Sequence, residues 1–142
     1  MSREMTVDIA PSYVDGERRM LDKYRCTQSL TAPWLVVHHR PAGTRSIAVK
    51  MYDVTAKFTH WLAWNVGTDT ETSGVNSFGH QHYSAPCPPK DGRTHQYVVT
   101  AYALRDVPSE FRRSASVTPA VFDRVVSKYE IGLASASLYY GV

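Results

Sequence analysis

The chain has 142 residues, 43% of them hydrophobic and 20% charged, with a formal net charge of +3. That composition argues against disorder and predicts one domain over residues 1–142, with a real core but no room for a second. Its basic residues are scattered, with Arg18-Arg19 and Arg112-Arg113 the only adjacent pairs, so it lacks the clustered stripe expected of a nucleic-acid binder.

In chain order, residues 1–33 carry the fewest signals. The first eight, Met1 to Asp8, include acids where a signal peptide needs an apolar stretch. No apolar run approaches the roughly 20 residues that span a bilayer. The expectation is a cytoplasmic protein with no membrane insertion. Asp15-Gly16 reads as a turn. Cys26 and Cys87 are far apart and match no metal or redox spacing, so both are expected as reduced thiols.

Pro33 to His38 reads as a strand, and Pro41-Ala42-Gly43-Thr44 as a turn. Ser46 to Asp53 is a second strand, with Ile47, Val49, Met51 and Asp53 on one face. An acid that continues an apolar face needs a partner or a solvent-lined pocket. Trp61 to Val66 is a third strand, with His60 at its entry on the side of Leu62 and Trp64. Residues 67–94 form a long connection rich in Gly, Ser, Thr and Pro, and loops beyond about 12–15 residues are usually functional or disordered. Its aromatics and its proline cluster favour an ordered one. His95 to Leu104 is the clearest strand, with His95, Tyr97, Val99, Ala101 and Ala103 on one face. Thr118-Pro119 starts a helix over about 119–130, with Thr as cap and Pro in the first turn. Val121, Phe122, Val125, Val126 and Tyr129 give it an apolar stripe. Gly132 is expected to end the helix, and Leu133 to Tyr140 to form a last strand. The predicted architecture is mostly β, with one C-terminal helix packed on a sheet or sandwich.

Three stretches carry ionisable or phenolic groups at strand ends or in the adjoining loop. They are Met51 to Asp53 with Phe58 to Trp61, Asn76 to Gly79 with Tyr83 and Pro86 to Pro89, and His95 to Tyr97. Sites are commonly built there, because a rigid sheet aims the side chains.

These residues resemble the phosphatidylethanolamine-binding protein family, also called the Raf kinase inhibitor protein family, in its short bacterial and archaeal branch. The likeness runs from about Pro33 to the C-terminus. Pro41 to Ser46 resembles the family's "PAGT-S" turn, Tyr52-Asp53 the start of its "DPDAP" motif, and Phe58 to Trp61 its "HW" strand entry. Tyr83 with Ala85 to Pro89 resembles "Y-GP-PP", Asp91 to Tyr97 resembles "G-HRY", and Leu133 to Ser137 resembles the last strand of bacterial members. The resemblance implies a β-sandwich of antiparallel, Greek-key sheets with a small pocket for phosphate, acetate or a phosphorylated headgroup. The pocket residues it implies are Asp53, His60, Pro86, His95 and Tyr97, with Tyr83 nearby. It implies no cofactor and no catalysis, and allows a protein partner such as a kinase or protease. Two departures stand out. "DPDAP" is reduced to Asp53-Val54-Thr55-Ala56 on a shortened segment, which predicts a rebuilt or more open pocket wall. Gln96 replaces the usual Arg and is expected to point to the opposite face.

In such a pocket Asp53 would repel an anion unless positive charge compensates. A carboxylate within about 4–6 Å favours the imidazolium form of a histidine. Asp53 is therefore expected to orient and charge His60, His95 or both, which donate to the anion together with the Tyr97 hydroxyl. Binding should weaken as pH rises and the imidazoles lose their protons. The plain alternative is an internal network that merely satisfies a buried acid.

Three other readings compete. His80-Gln81-His82, completed by Asp53, His60 or His95, suggests a metal site, although His-x-His alone is common by chance. His38 and His39 fall on opposite faces of a strand and are not expected to ligate jointly. Asp53 with His60 suggests an orienter and base for a hydrolase, but a nucleophile is missing: Gly74 to Gly79 is not a nucleophile elbow, and Cys87 lacks a visible activator. The last is a protein-interaction module with a vestigial pocket.

Overall fold

The computed structural model describes residues 4–9, 14, 16–19, 35–66, 71–72, 94–112 and 117–141. Their elements are β1 (Thr6–Ile9), β2 (Leu35–His38), β3 (Ser46–Asp53), β4 (Phe58–Val66), β5 (Glu71–Thr72), β6 (Thr94–Leu104), α1 (Pro119–Tyr129) and β7 (Glu130–Gly141). A 3-10 turn at Ser109–Arg112 precedes α1. The strands form two antiparallel sheets, ordered β1-β2-β5 and β4-β3-β6-β7.

The sheets face each other because each strand segregates its side chains by alternation. On β3 and β6, the cross-strand pairs Ile47 with Ala103, Val49 with Ala101 and Met51 with Val99 point inward. They meet Val7, Leu35 and Val37 of the other sheet, together with Trp61 and Leu138. The opposite face of β3 and β4 is also covered. Ala48, Leu62 and Trp64 pack there against Phe122, Val125 and Val126 of α1, and Trp64 stacks on Phe111 at 5.0 Å between ring centres. The architecture is thus a β-sandwich with a helix on one outer face, as expected.

Local chemistry explains the boundaries. In the turn after β2, Thr44 N–H and Oγ1 both donate to the Pro41 carbonyl, at 3.2 and 2.7 Å, and Gly43 takes the left-handed φ of +90° that such a turn needs. Thr118 Oγ1 accepts from Val121 N–H at 3.2 Å, and Pro119 occupies the first turn of α1.

Several boundaries differ from the expectation. The helix ends at Tyr129, not at Gly132, because Glu130 already has extended angles (φ −65°, ψ 133°) and opens β7. Gly132 lies inside β7, where a Cβ would sit 2.7 Å from Cγ of Pro41; the glycine makes room for the Pro41 ring. β4 starts at Phe58, three residues before Trp61. β1 and β5 were not foreseen. Gly16 lies in a turn, and Arg19 bridges Tyr139 in parallel, extending the edge of β7. His39 follows β2 in a left-handed conformation (φ 57°), so its ring lies 6.2 Å from that of His38 rather than across the strand. Tyr83, Pro86, Cys26, Cys87, His80 and His82, with most of the connection 67–94, lie outside the described residues.

Candidate functional site

Three strand ends bring Asp53, His60, His95 and Tyr97 together. Asp53 closes β3 and pairs across the ladder with Tyr97 of β6, which places both on the inward face. His95 lies two residues earlier on that face. All three are almost fully enclosed: Asp53 is 3% exposed, His95 1% and Tyr97 0%.

His60 reaches the same spot by a different device. Met51 pairs with Trp61, but Tyr52 pairs with Thr59, so His60 is the extra residue of a β-bulge. The bulge shifts the parity of β4. His60 was expected on the face of Leu62 and Trp64. Instead those two pack under α1, while the His60 ring meets Tyr97 edge-on at 5.3 Å and Phe58 at 4.9 Å. Without the bulge His60 would face the helix layer.

The carboxylate of Asp53 is the hub. Its Oδ1 accepts from the backbone N–H groups of Thr55, at 2.8 Å, and Ala56, at 2.9 Å. Its Oδ2 lies 2.9 Å from Nδ1 of His95 and 4.0 Å from Nε2 of His60. An ionised carboxylate offers only acceptors, so His95 carries a hydrogen on Nδ1. The Oδ1 contacts make Val54 to Lys57 a compact hairpin connection, closed by a left-handed Lys57 (φ 56°). The turn of the shortened segment is thus capped by the acid itself. The turn is also pinned to β6, since Val54 N–H donates to the Gln96 carbonyl at 3.0 Å and Gln96 N–H donates to Thr55 Oγ1 at 3.0 Å. The Gln96 side chain lies on the outer face, 3.2 Å from Ser137 Oγ, as expected.

Two contributors escaped the reading of the sequence. Thr55 holds both the acid and β6, and an Asp followed two residues later by Thr in a short turn is a legible Asx-turn signal. Phe58 flanks His60 yet remains 52% exposed, and nothing in its strand pattern marks that role. Tyr83 and Pro86 cannot be placed beside this cluster, because both lie outside the described residues. Among the described residues, no three His, Cys, Asp or Glu side chains are grouped to hold a metal ion. No helix among them is long and apolar enough to cross a membrane.

The chain is thus a helix-backed β-sandwich whose inner face ends in a buried Asp–His cluster. The chain belongs to the phosphatidylethanolamine-binding protein family, whose model matches residues 11–141. It is similar to a UPF0098 protein of Pyrococcus horikoshii, 30% identical over 122 residues, or 71% of this chain and 62% of that protein. The chain therefore spans about three fifths of the length of such curated relatives. Its fold is similar to that of Escherichia coli YbcL, described as a member of the mammalian PEBP family. The TM-score is 0.79, with 20% identity and 99% of both chains covered. A PEBP homolog from Chlamydia trachomatis gives a TM-score of 0.77 at 22% identity, also over 99% of both chains.

Proposed function

We propose that the chain binds a small anion or a phosphorylated group, without catalysis, in a pocket centred on Asp53, His60, His95 and Tyr97. Tyr83 and Pro86 are proposed to complete its wall. The observation that carries this reading is the placement of one buried carboxylate between two imidazoles. The contacts of Asp53 are all made inside the protein: two backbone N–H groups on one oxygen, His95 on the other. The acid therefore serves to position and charge the histidines rather than to meet a ligand. The carboxylate engages Nδ1 of His95, and a protonated imidazole can donate through either ring nitrogen. Donation from these imidazoles to an oxyanion would be strengthened by the low polarity of the enclosed surroundings.

Hydrolysis is disfavoured by the same geometry. A base needs a nucleophile within hydrogen-bond reach. The Thr55 hydroxyl, on the turn, instead ties that turn to β6 by accepting the Gln96 N–H. Regulation of a protein partner, a kinase or a protease, is proposed as the biological use of the pocket, on the analogy of the family.

Two-dimensional NMR during titration with phosphate and with phosphoethanolamine tests the pocket. Saturable shifts at Asp53, His60, His95 and Tyr97 are expected. His60→Ala and His95→Ala should each weaken binding. Unchanged affinity in both variants would overturn the assignment.

A further inference from the structure

The ladder between β3 and β6 ends one step too early for His95. Its last pair is Asp53 with Tyr97. In an antiparallel pair that continued, Gln96 would exchange both its backbone groups with Val54. Only half of that exchange is made. Val54 N–H donates to the Gln96 carbonyl at 3.0 Å, but Gln96 N–H donates to Thr55 Oγ1, also at 3.0 Å. The side-chain oxygen stands in for the strand carbonyl that the turn has carried away.

The same residue holds the acid. Thr55 N–H donates to Asp53 Oδ1 at 2.8 Å, and Asp53 Oδ2 meets His95 Nδ1 at 2.9 Å. His95 is joined to Gln96 by the peptide bond, so the contacts close a circuit from Asp53 to Thr55, Gln96, His95 and back to Asp53. Within such a circuit each hydrogen bond restrains the others. Thr55 grips both sides of the Asp53–His95 contact, the carboxylate through its N–H and the backbone that carries the imidazole through its Oγ1. An apolar side chain at position 55 keeps the first grip and loses the second.

We infer that Thr55 is a positioning residue for this site. Its hydroxyl fixes the backbone of His95 against the Asp53 carboxylate, and through that contact it sets the affinity for an oxyanion. Thr55 acts on the ligand only by way of His95. The effect on affinity rests on the anion pocket proposed above, whereas the hold on His95 does not.

The test compares the wild type with Thr55→Val, Thr55→Ser and Ser46→Ala. Ser46→Ala removes a side-chain tie of the same kind, to the Asp106 carbonyl, at the far end of β3. Two readouts are taken by NMR. Without phosphate, the hydrogen on Nδ1 of His95 should give a sharp ring signal in the wild type, in Thr55→Ser and in Ser46→Ala. In Thr55→Val it should broaden through exchange with water, because the enclosure against Asp53 opens more often. In a titration with inorganic phosphate, Thr55→Val should weaken binding roughly tenfold, the scale seen when a partner that orients a binding group is removed. Thr55→Ser, which keeps the acceptor, should restore it, and Ser46→Ala should leave it unchanged. A purely structural role would lower Tm in Thr55→Val and Ser46→Ala alike without separating them in either readout. An unchanged ring signal in Thr55→Val, or a loss of affinity that Thr55→Ser fails to restore, would overturn the inference. Absence of phosphate shifts in the wild type would remove the pocket and, with it, the effect on affinity. The ring signal, recorded without phosphate, would then still decide whether Thr55 holds His95.

Discussion

At the Asp53 end of β3, a carboxylate 3% exposed has both oxygens engaged by the chain, through Thr55 and Ala56 on one side and His95 on the other. At the Ser46 end, the Ser46 hydroxyl is satisfied by the Asp106 carbonyl at 2.5 Å, but the nearby Arg40 Nη1 has no acceptor. The contrast separates two uses of buried polarity. A charge whose contacts all come from its own chain is part of the fold, and what it offers a ligand passes through its partners. A charged donor that the chain encloses without a partner adds no hydrogen bond to the fold and carries a desolvation cost. Removing the Asp53 carboxylate should therefore cost stability, whereas replacing the Arg40 guanidinium by an apolar side chain should not.

Asp53→Ala is the sharpest test. It strands a buried histidine, removes two acceptor contacts from the turn and frees the hairpin. Breaking a buried charged contact from one side usually costs about 3 to 5 kcal/mol. Urea unfolding should show a loss of that order. Asp53→Asn keeps an acceptor for Thr55 and Ala56 and should cost less. A loss under about 1 kcal/mol in Asp53→Ala, the size of an ordinary hydrogen bond, would erase the contrast between the two ends.

Gly132→Ala probes the other end without touching charge. The added Cβ would meet the stiff Pro41 ring at 2.7 Å, so β7 or the turn must shift. Overpacking of this kind costs about 1 to 3 kcal/mol. Gly43→Ala is the control for the same turn: nothing lies within 4 Å of its Cβ, and the cost there comes from the φ of +90° alone, roughly 1 kcal/mol. If Gly132→Ala unfolds at the same urea concentration as the wild type, the turn is soft, and its packing against β7 is less fixed than this contact indicates.

The legible part of this molecule is the part governed by period-two alternation. β3 was readable to both its ends, and the inward faces of β3 and β6 follow from counting residues, which is why Asp53, His95 and Tyr97 fall together. His60 was named but assigned to the wrong face. A bulge inserts one residue without any signature in the alternation, and only the ladder between β3 and β4 reveals it. The end of the helix was misread for a related reason. A glycine after an apolar stripe usually caps a helix, whereas Gly132 answers to Pro41, ninety-one positions earlier in the chain. β5 has two residues, too short for any periodic signal. Short-range rules recover what neighbours dictate, and they fail where a distant part of the chain sets the requirement.

The smallest effect belongs to the ionic surface at the Ser46 end. Glu110 accepts from Lys128 Nζ at 3.2 Å and from the Tyr129 hydroxyl at 3.1 Å, tying the 3-10 turn to the end of α1. Its carboxyl is held below the ordinary value, first by a backbone N–H and then by Lys128 and Tyr129, against the opposing effect of burial. The Lys128 ammonium is raised by the same contact, chiefly through its hydrogen bond to Glu110. A depressed carboxyl stabilises the fold above its unfolded value and loses that contribution as pH falls through the folded one. A raised ammonium stabilises below its unfolded value and loses that contribution as pH climbs through the folded one. The contact is therefore intact at neutral pH and fades from around 4.5 downward. Lys128 is 61% exposed, so water and salt screen most of the attraction. Glu110→Gln should lower the urea midpoint slightly at about pH 7 and converge with the wild type as the pH falls through the depressed pKa of the folded carboxyl, with the gap shrinking in high salt. Parallel curves across that range would show that the carboxylate charge adds nothing here, leaving the apolar contacts of Phe111 and Phe122 to hold the helix to the sheet.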